Sequence, residues 1–310
     1  ADFLGYSDDE LIGKKAFNFM HPADRERGVE DRKRLYAGEV ERINVERRFF
    51  HRDGSLLWAQ LGVSVMQIPG LDPVQVVMVQ DITDRKADAE ALARSTKLLD
   101  LVREVALAAN QNINFNDIVQ FSLDRVCAFT GWPVGHAYVL PENEEDLLEP
   151  MSAWYMNDPK KFEIFRARTE TTAVDRGRQL VGEVLETGTL VWREQTPKDL
   201  SNIGPRGALL QRLGLKSGFA TPVKVGDQTV GVLEFFSDEQ TERDEGLADA
   251  LIQIGTELGR VFERQRADRA LQTREEQLRQ IIDNAPLWIY VKDREGRYLI
   301  ANKAVADNYG

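Results

Sequence analysis

Two stretches near the start of the chain, Val45 to Phe50 and Leu56 to Leu61, mix apolar and polar positions and read as strands. They flank Asp53-Gly54, a strong hairpin signal. A third run, Pro73-Val74-Gln75-Val76-Val77-Met78-Val79, predicts a strand over 73–80. It meets Gln80-Asp81-Ile82-Thr83-Asp84-Arg85-Lys86, and a long helical pattern runs out. Ile82 continues the apolar side. Asp81 and Thr83 carry short oxygen-bearing side chains of the kind that satisfies free N–H groups at a helix start. This junction is expected to tie the last strand of a sheet to a helix leaving the domain. Asp81, Ile82 and Thr83 are therefore the candidate relay residues. Ahead of the strands, Ser7 to Gly13 reads as a capped short helix, and a helix over 23–38 stops at Gly38.

Spacing changes to 3-4 beyond the junction. Leu92, Ser95, Leu99, Val102, Ala106 and Ala109 form a heptad seam beside Arg94, Lys97 and Glu104. The seam suits a parallel dimer coil, or one amphipathic helix packing on its own domain. Leu98 and Leu101 widen the apolar face and are suited to serve the next domain. A second seam holds Leu247, Leu251, Ile254, Leu258 and Val261, then continues through Arg264, Asp268, Leu271, Glu275, Leu278 and Ile282. The step from Val261 to Arg264 is three where the heptad requires four, a stammer that overwinds a coil. Either signals crossing the helix are felt at 261–268, or one helix ends there and another takes over.

Between the seams, an amphipathic helix carries Ile118, Val119, Phe121, Leu123 and Val126. Residues 131–140 read as a turn and a strand, 141–150 as an acidic loop, 151–156 as a strand and 158–170 as a helix. Gly182 to Gly188 ends a helix, Leu190-Val191-Trp192 is a short strand, and 209–214 is a helix with a glycine stop. Strands 218–225 and 229–236 form a hairpin turning on Gly226-Asp227. Helices at both ends of an antiparallel sheet predict an α+β fold. The tail shows two strands around Asp293-Arg294-Glu295-Gly296, then a short helix.

The 310 residues suggest about two domains. A net charge of −11 argues against a broad nucleic-acid or anionic-membrane surface. No apolar run reaches the roughly 18 residues of a membrane span, so no direct membrane insertion is expected. The start, Ala1-Asp2-Phe3-Leu4-Gly5, shows no basic region or cleavage site of a signal peptide. The single cysteine, Cys127, excludes an intrachain disulfide and fits a reducing cytoplasm. There is no phosphate-cradling glycine loop, no metal-ligand cluster and no nucleophile–base set, so catalysis by this chain is not expected. The three histidines, His21, His51 and His136, lie inside predicted domains, which leaves no phosphoacceptor on a connector.

Leu4-Gly5-Tyr6-Ser7, His21-Pro22-x-Asp24, Arg52-Asp53-Gly54-Ser55-x-x-Trp58 and Asp81-Ile82-Thr83 together resemble a PAS domain with its PAC-type ending, lacking its first strands. Gly226-Asp227-x-x-Val230-Gly231-Val232-Leu233-Glu234-Phe235-Phe236-Ser237 resembles a GAF domain, and Gly182…Gly188 and Trp132-x-x-Gly135 agree with it. The tail resembles the beginning of a second PAS domain. The expected organisation is a PAS domain over 1–86, a connecting helix over 87–104, a GAF domain over 98–262, a signalling helix over 263–280 and a second PAS beginning over 281–310. The tail would hold the half that the head lacks. That arrangement points to a region cut from a longer protein, or to the tail of one molecule completing the head of another.

The resemblance implies the input region of a bacterial signalling enzyme, with either a cyclic-di-GMP cyclase or phosphodiesterase or a histidine kinase as output. The heptad seams point to a homodimer through the connecting helices, with Leu92, Leu99, Val102, Leu251, Ile254, Leu258, Val261, Leu271 and Leu278 as the dimer helix positions. A small-molecule ligand is open: the region is either a ligand-gated sensor or a ligand-free PAS–GAF dimerisation scaffold in which the signal enters elsewhere. Phe17, Met20, Phe50 and Trp58 are candidate pocket residues in the first domain, although such residues are more often plain core; in the second, His136 reads better as a satisfied core histidine, and Trp154, Trp192 and Phe219 suit a pocket or plain core equally. Haem, flavin and bilin are not expected. His21 reads as a turn or capping residue, no reactive cysteine lies in 1–86, and Cys127 reads as a buried core thiol. The pattern of cyclic-nucleotide GAF domains is not met, since Asp238-Glu239 stands at the wrong spacing from Phe235.

Overall fold

The computed structural model describes residues 2–70, 72–111, 113–142, 144–194 and 205–309. It divides into two compact units, 1–96 and 97–310. In the first, helix α1 (Asp8–Leu11) starts at Ser7 in a capping box with Glu10. Helix α2 (Pro22–Tyr36) starts at His21, whose Nδ1 accepts the Ala23 N–H at 3.3 Å. Strands β1 (Arg42–Phe50), β2 (Leu56–Met66) and β3 (Val74–Asp81) form an antiparallel sheet in the order β1-β2-β3. The period of two sends Ile43, Phe49, Ala59, Leu61 and Val63 to one face, where Met20 and Leu35 complete a core. Asp24 of α2 holds Arg48 of β1 through both its oxygens, at 3.0 and 2.8 Å. Helix α3 (Thr83–Ala109) leaves the sheet.

In the second unit, Leu98, Leu101, Val105 and Ala109 of α3 are buried in the core. Helix α4 (Phe115–Thr130) is capped by Asn114 and ends at Gly131 in the left-handed conformation. After it come β4 (Val134–Val139), β5 (Leu147–Met156), α5 (Pro159–Glu170), β6 (Val174–Asp175), α6 (Gln179–Thr187), β7 (Val191–Arg193), α7 (Pro205–Arg212), β8 (Ser217–Val225) and β9 (Gln228–Ser237). Strand β5 starts inside the stretch expected to be an acidic loop, because Leu147 and Leu148 pair with Asp175 and Val174. The six strands run β6-β5-β4-β9-β8-β7. One face of the sheet carries α3, α4 and the 40-residue helix α8 (Glu245–Asn284). The other face carries α5, α6 and α7. Beyond α8 come β10 (Tyr290–Lys292), β11 (Tyr298–Ala301) and α9 (Lys303–Tyr309).

Helix α8 lies directly on the β8 backbone. A Cβ at Gly255 would stand 2.1 Å from the Pro222 oxygen, and one at Gly259 would stand 1.7 Å from that of Lys224. Two glycines four apart are what permit this approach. The contact corrects part of the expected dimer seam. Leu251, Ile254 and Leu258 are 0% exposed and Val261 is 2%, all within the domain's own core. Val102 is half-buried against the same core. Heptad spacing does not separate a coil from a helix packed on a sheet, since both need an apolar stripe. Leu92 and Leu99, at 70% and 64%, and Leu271 and Leu278, at 60% and 53%, remain exposed. The stammer also has a simpler cause. Helix α8 is unbroken from 245 to 284, and the spacing changes where its buried face ends, just past Val261.

Candidate functional site

Two arrangements of side chains stand out, one in each unit. The first is the sheet-to-helix junction. Ile82 is buried and donates its N–H to the Trp58 oxygen at 2.9 Å. The Thr83 hydroxyl accepts the Trp58 N–H at 3.0 Å. Asp81 accepts the Thr83 N–H at 2.8 Å, which caps the first turn of α3. Lys86, one turn on, meets Glu46 at 2.5 Å and lies over the Trp58 ring at 5.0 Å, and Arg85 meets the same carboxylate at 3.2 Å. The Lys86 bond holds the Glu46 carboxyl below its usual range. The relay residues are thus brought together at Trp58, and the first turn of α3 is pinned to β1 and β2.

The second arrangement lies on the α5–α7 face of the larger sheet. Strand register builds it. His136 of β4 stands opposite Trp154 of β5 on one side and Glu234 of β9 on the other. The His136 ring stacks on Trp154 with centroids 3.8 Å apart, and its Nε2 bonds the Met151 carbonyl at 3.0 Å. Its Nδ1 faces Glu234 Oε1 at 3.4 Å. Arg206 enters from the first turn of α7 and forms a short ion pair with Glu234. Its other nitrogens donate to Thr169 of α5 at 3.2 Å and to Gln179 of α6 at 2.9 Å. The guanidinium also lies over the rings of Phe165, Tyr138 and Phe236. Gln179 has a φ of 56°, the left-handed region that a glutamine rarely adopts, and its side chain accepts the Arg206 bond.

All charges here are inside the protein. His136 and Glu234 are fully buried and Arg206 nearly so. Burial pushes the Glu234 carboxyl up, but the adjoining Arg206 charge outweighs it and holds it down. Burial pushes the His136 imidazole down, against the pull of Glu234, so it is neutral. Among the described residues, His136 Nδ1, Tyr138 Oη, Trp154 Nε1 and Glu234 Oε2 are buried without a hydrogen-bond partner. Buried polar atoms left without a partner are uncommon in folded proteins, and four of them gather here.

The pocket residues expected from the sequence do not share one place. Met20 is in the first unit's core and Phe17 packs against it. Phe50 is exposed beside His21, and Trp58 faces outward between Arg48 and Lys86. In the second unit, His136 and Trp154 come together on one face of the sheet. Trp192 and Phe219 lie on the other, where Phe219 stacks on Trp132 at 4.2 Å within the main core. Cys127 is buried in that core, and burial, with Asp124 adding to it, pushes its thiol up. Sequence reasoning missed Glu234 and Arg206 as site residues. Glu234 had a signal: it is the one charge in an apolar strand, at the inward parity of Val232 and Phe236. Arg206 had none, because only the packing of α7 brings it to the sheet.

Residues 1–79 match the family model described as PAS fold, and residues 112–263 match that described as GAF domain. The two matches cover about three quarters of the chain. A stretch of 152 residues is 26% identical to a probable diguanylate cyclase, DgcE, of Escherichia coli (strain K12), covering 46% of this chain and 14% of that protein. A stretch of 50 residues is 46% identical to the virulence sensor protein BvgS of Bordetella pertussis (strain Tohama I), covering 16% of this chain and 4% of that protein. The chain therefore spans a small part of the curated relatives it matches. A GAF domain of a phosphoenolpyruvate-protein phosphotransferase from Coxiella burnetii shows a TM-score of 0.46 at 15% identity, over 57% of this chain and 98% of that one. The α+β folds of both units accord with the two family models, and the chain belongs with the PAS–GAF sensory regions of signalling proteins.

Proposed function

We propose that the chain is the non-catalytic sensory, dimerisation and transmission region of a bacterial cytoplasmic signalling protein, and that it regulates an output domain that makes or degrades cyclic-di-GMP. The observation that carries this reading is helix α3. It starts in hydrogen bonds to β2 of the PAS sheet and ends with Leu98, Leu101, Val105 and Ala109 in the GAF core. A change in the sheet thereby acts on the helix that the next domain is built around. Helix α8 extends about 35 Å past its last buried residue at 1.5 Å per residue, and it bears Leu271 and Leu278 exposed. Those leucines, with Leu92 and Leu99, are the proposed contacts between two parallel copies. The similarity to a probable diguanylate cyclase supports the cyclic-di-GMP output. A sensor histidine kinase is the second reading, supported by the similarity to BvgS.

The His136–Glu234–Arg206 cluster is the proposed input point of the GAF domain, where a small polar ligand would engage the unpartnered atoms. The test of the whole reading uses single cysteines at 92, 99, 271 and 278 in a Cys127→Ala background. Same-position disulfides between copies are expected at all four and not at a cysteine replacing buried Leu251. Absence of cross-links at all four overturns the parallel dimer. For the output, Thr83→Val in the parent protein is expected to change its rate of cyclic-di-GMP synthesis or hydrolysis. A change in autophosphorylation instead decides for the kinase.

A further inference from the structure

Helix α8 ends at Asn284, and the chain turns through 285–289 into β10 and β11. The bonds at this turn converge on one side chain. Asn302 directly follows β11 and is 1% exposed. Its Nδ2 donates to the Ile282 carbonyl of α8 at 2.9 Å and to the Leu287 carbonyl of the turn at 2.8 Å. Its Oδ1 accepts the Ile289 N–H at 3.1 Å and the Val305 N–H of α9 at 3.2 Å. A carboxamide offers two N–H donors and two acceptor sites, so all four are taken. The Asn302 backbone N–H adds a bond to the Ile289 oxygen at 3.0 Å. Beside it, Asp283 of α8 accepts the Lys303 N–H at 3.0 Å.

We infer that Asn302 is a positioning residue that makes the end of α8 and the β10–β11 hairpin one rigid body, with Asp283 as a second pin. The hairpin is then the part that receives a movement of α8, which is where the inference rests on the proposed function. The residue type is demanding. Aspartate keeps the acceptors but removes both donors and adds a buried charge, leaving the Ile282 and Leu287 carbonyls without it. Alanine removes all four bonds. Thr83 at the start of α3 and Asn302 at the end of α8 thus serve the same purpose at two ends: each ties a long helix to a strand pair through its side chain.

The test measures geometry within one chain. Spin labels are placed on cysteines replacing exposed Gln272 and Arg294 in a Cys127→Ala background, and the labelled chain is diluted in a large excess of unlabelled chain. Dipolar spectroscopy is expected to give one narrow distance distribution. Asn302→Ala and Asn302→Asp are expected to broaden it, while the Val291 and Ile300 amides, paired across the hairpin, stay protected from exchange. A distribution as narrow as the parent's in Asn302→Ala, with the hairpin intact, overturns the inference. If the hairpin melts in both variants, Asp283→Ala decides, because at a partly exposed side chain it removes one hydrogen bond and a loose surface ion pair with Arg279 at 3.9 Å. Broadening with faster exchange at Lys303 then supports the inference, and an unchanged width overturns it. The distance is intramolecular, so a failure of the dimer reading leaves this result standing.

Discussion

Glu234 and Arg206 form an ion pair inside the GAF domain, with the Glu234 side chain at 0% exposure and that of Arg206 at 5%. The pair joins the centre of the sheet to α7, and through Thr169 and Gln179 to α5 and α6. A charge in this position is tolerated only with its partner, because the desolvation cost of each ion is several kcal/mol. Arg206→Met is therefore expected to lower stability by about 3–5 kcal/mol by leaving Glu234 unpaired, and Glu234→Gln by a similar amount. The double variant is expected to recover most of that loss. Urea unfolding of the four proteins measures it, and simple additivity of the two single losses would show that the residues do not act as a pair.

His136 makes stability depend on pH. It is neutral in the fold with its pKa held below 6.5, while the unfolded chain takes up a proton at its ordinary value. Below pH 6.5 the unfolded state binds more protons, so stability falls as the pH falls. The slope approaches about 1.4 kcal/mol per pH unit for one proton. His136→Gln is expected to flatten this slope between pH 6.5 and 5. Glu234 and Arg206 remain charged across that window. An unchanged slope in the variant would assign the effect to other groups.

Asp24 carries the acid limb of the PAS unit. The Arg48 side-chain bond holds its carboxyl down to about 2, from 3.8. Its contribution is fully present above pH 3.8 and is lost as the pH falls through about 2. Asp24→Asn is expected to cost about 1–2 kcal/mol at neutral pH after allowance for solvent screening. It should also make the PAS unit less sensitive to acid, which amide exchange of β1 at several pH values reports.

At the junction, Thr83→Val keeps the shape and removes the hydroxyl that accepts the Trp58 N–H. The expected cost is about 1–3 kcal/mol, with loss of protection at the Trp58 amide. Asp81→Ala removes the cap on the Thr83 N–H and is expected to cost about 1 kcal/mol. Fraying of the first turn of α3 in exchange measurements, without a change in the GAF core, identifies the effect as local.

The junction was legible in the sequence because its chemistry is local: Asp81, Ile82 and Thr83 act within two residues of one another and on a strand already predicted. The hairpin turns at Asp53-Gly54 and Gly226-Asp227 were legible for the same reason. The GAF cluster was half legible. Strand parity sends His136 and Glu234 inward, but their pairing across β4 and β9 is a matter of register between strands 98 residues apart. Arg206 depends on the packing of α7 and has no sequence signature. The dimer seam was misread at Leu251, Ile254, Leu258 and Val261, since one apolar stripe serves a partner helix and a sheet equally well. Gly255 and Gly259, which settle that question by letting α8 touch β8, lie one position away from Ile254 and Leu258.

The most direct measurement is native mass spectrometry of the 310-residue chain, with an absorption spectrum of the same sample. The expected result is a colourless dimer that Leu99→Arg together with Leu271→Arg converts to monomer without loss of helix content. A chain that is monomeric at every concentration tested would contradict transmission through paired helices in this region.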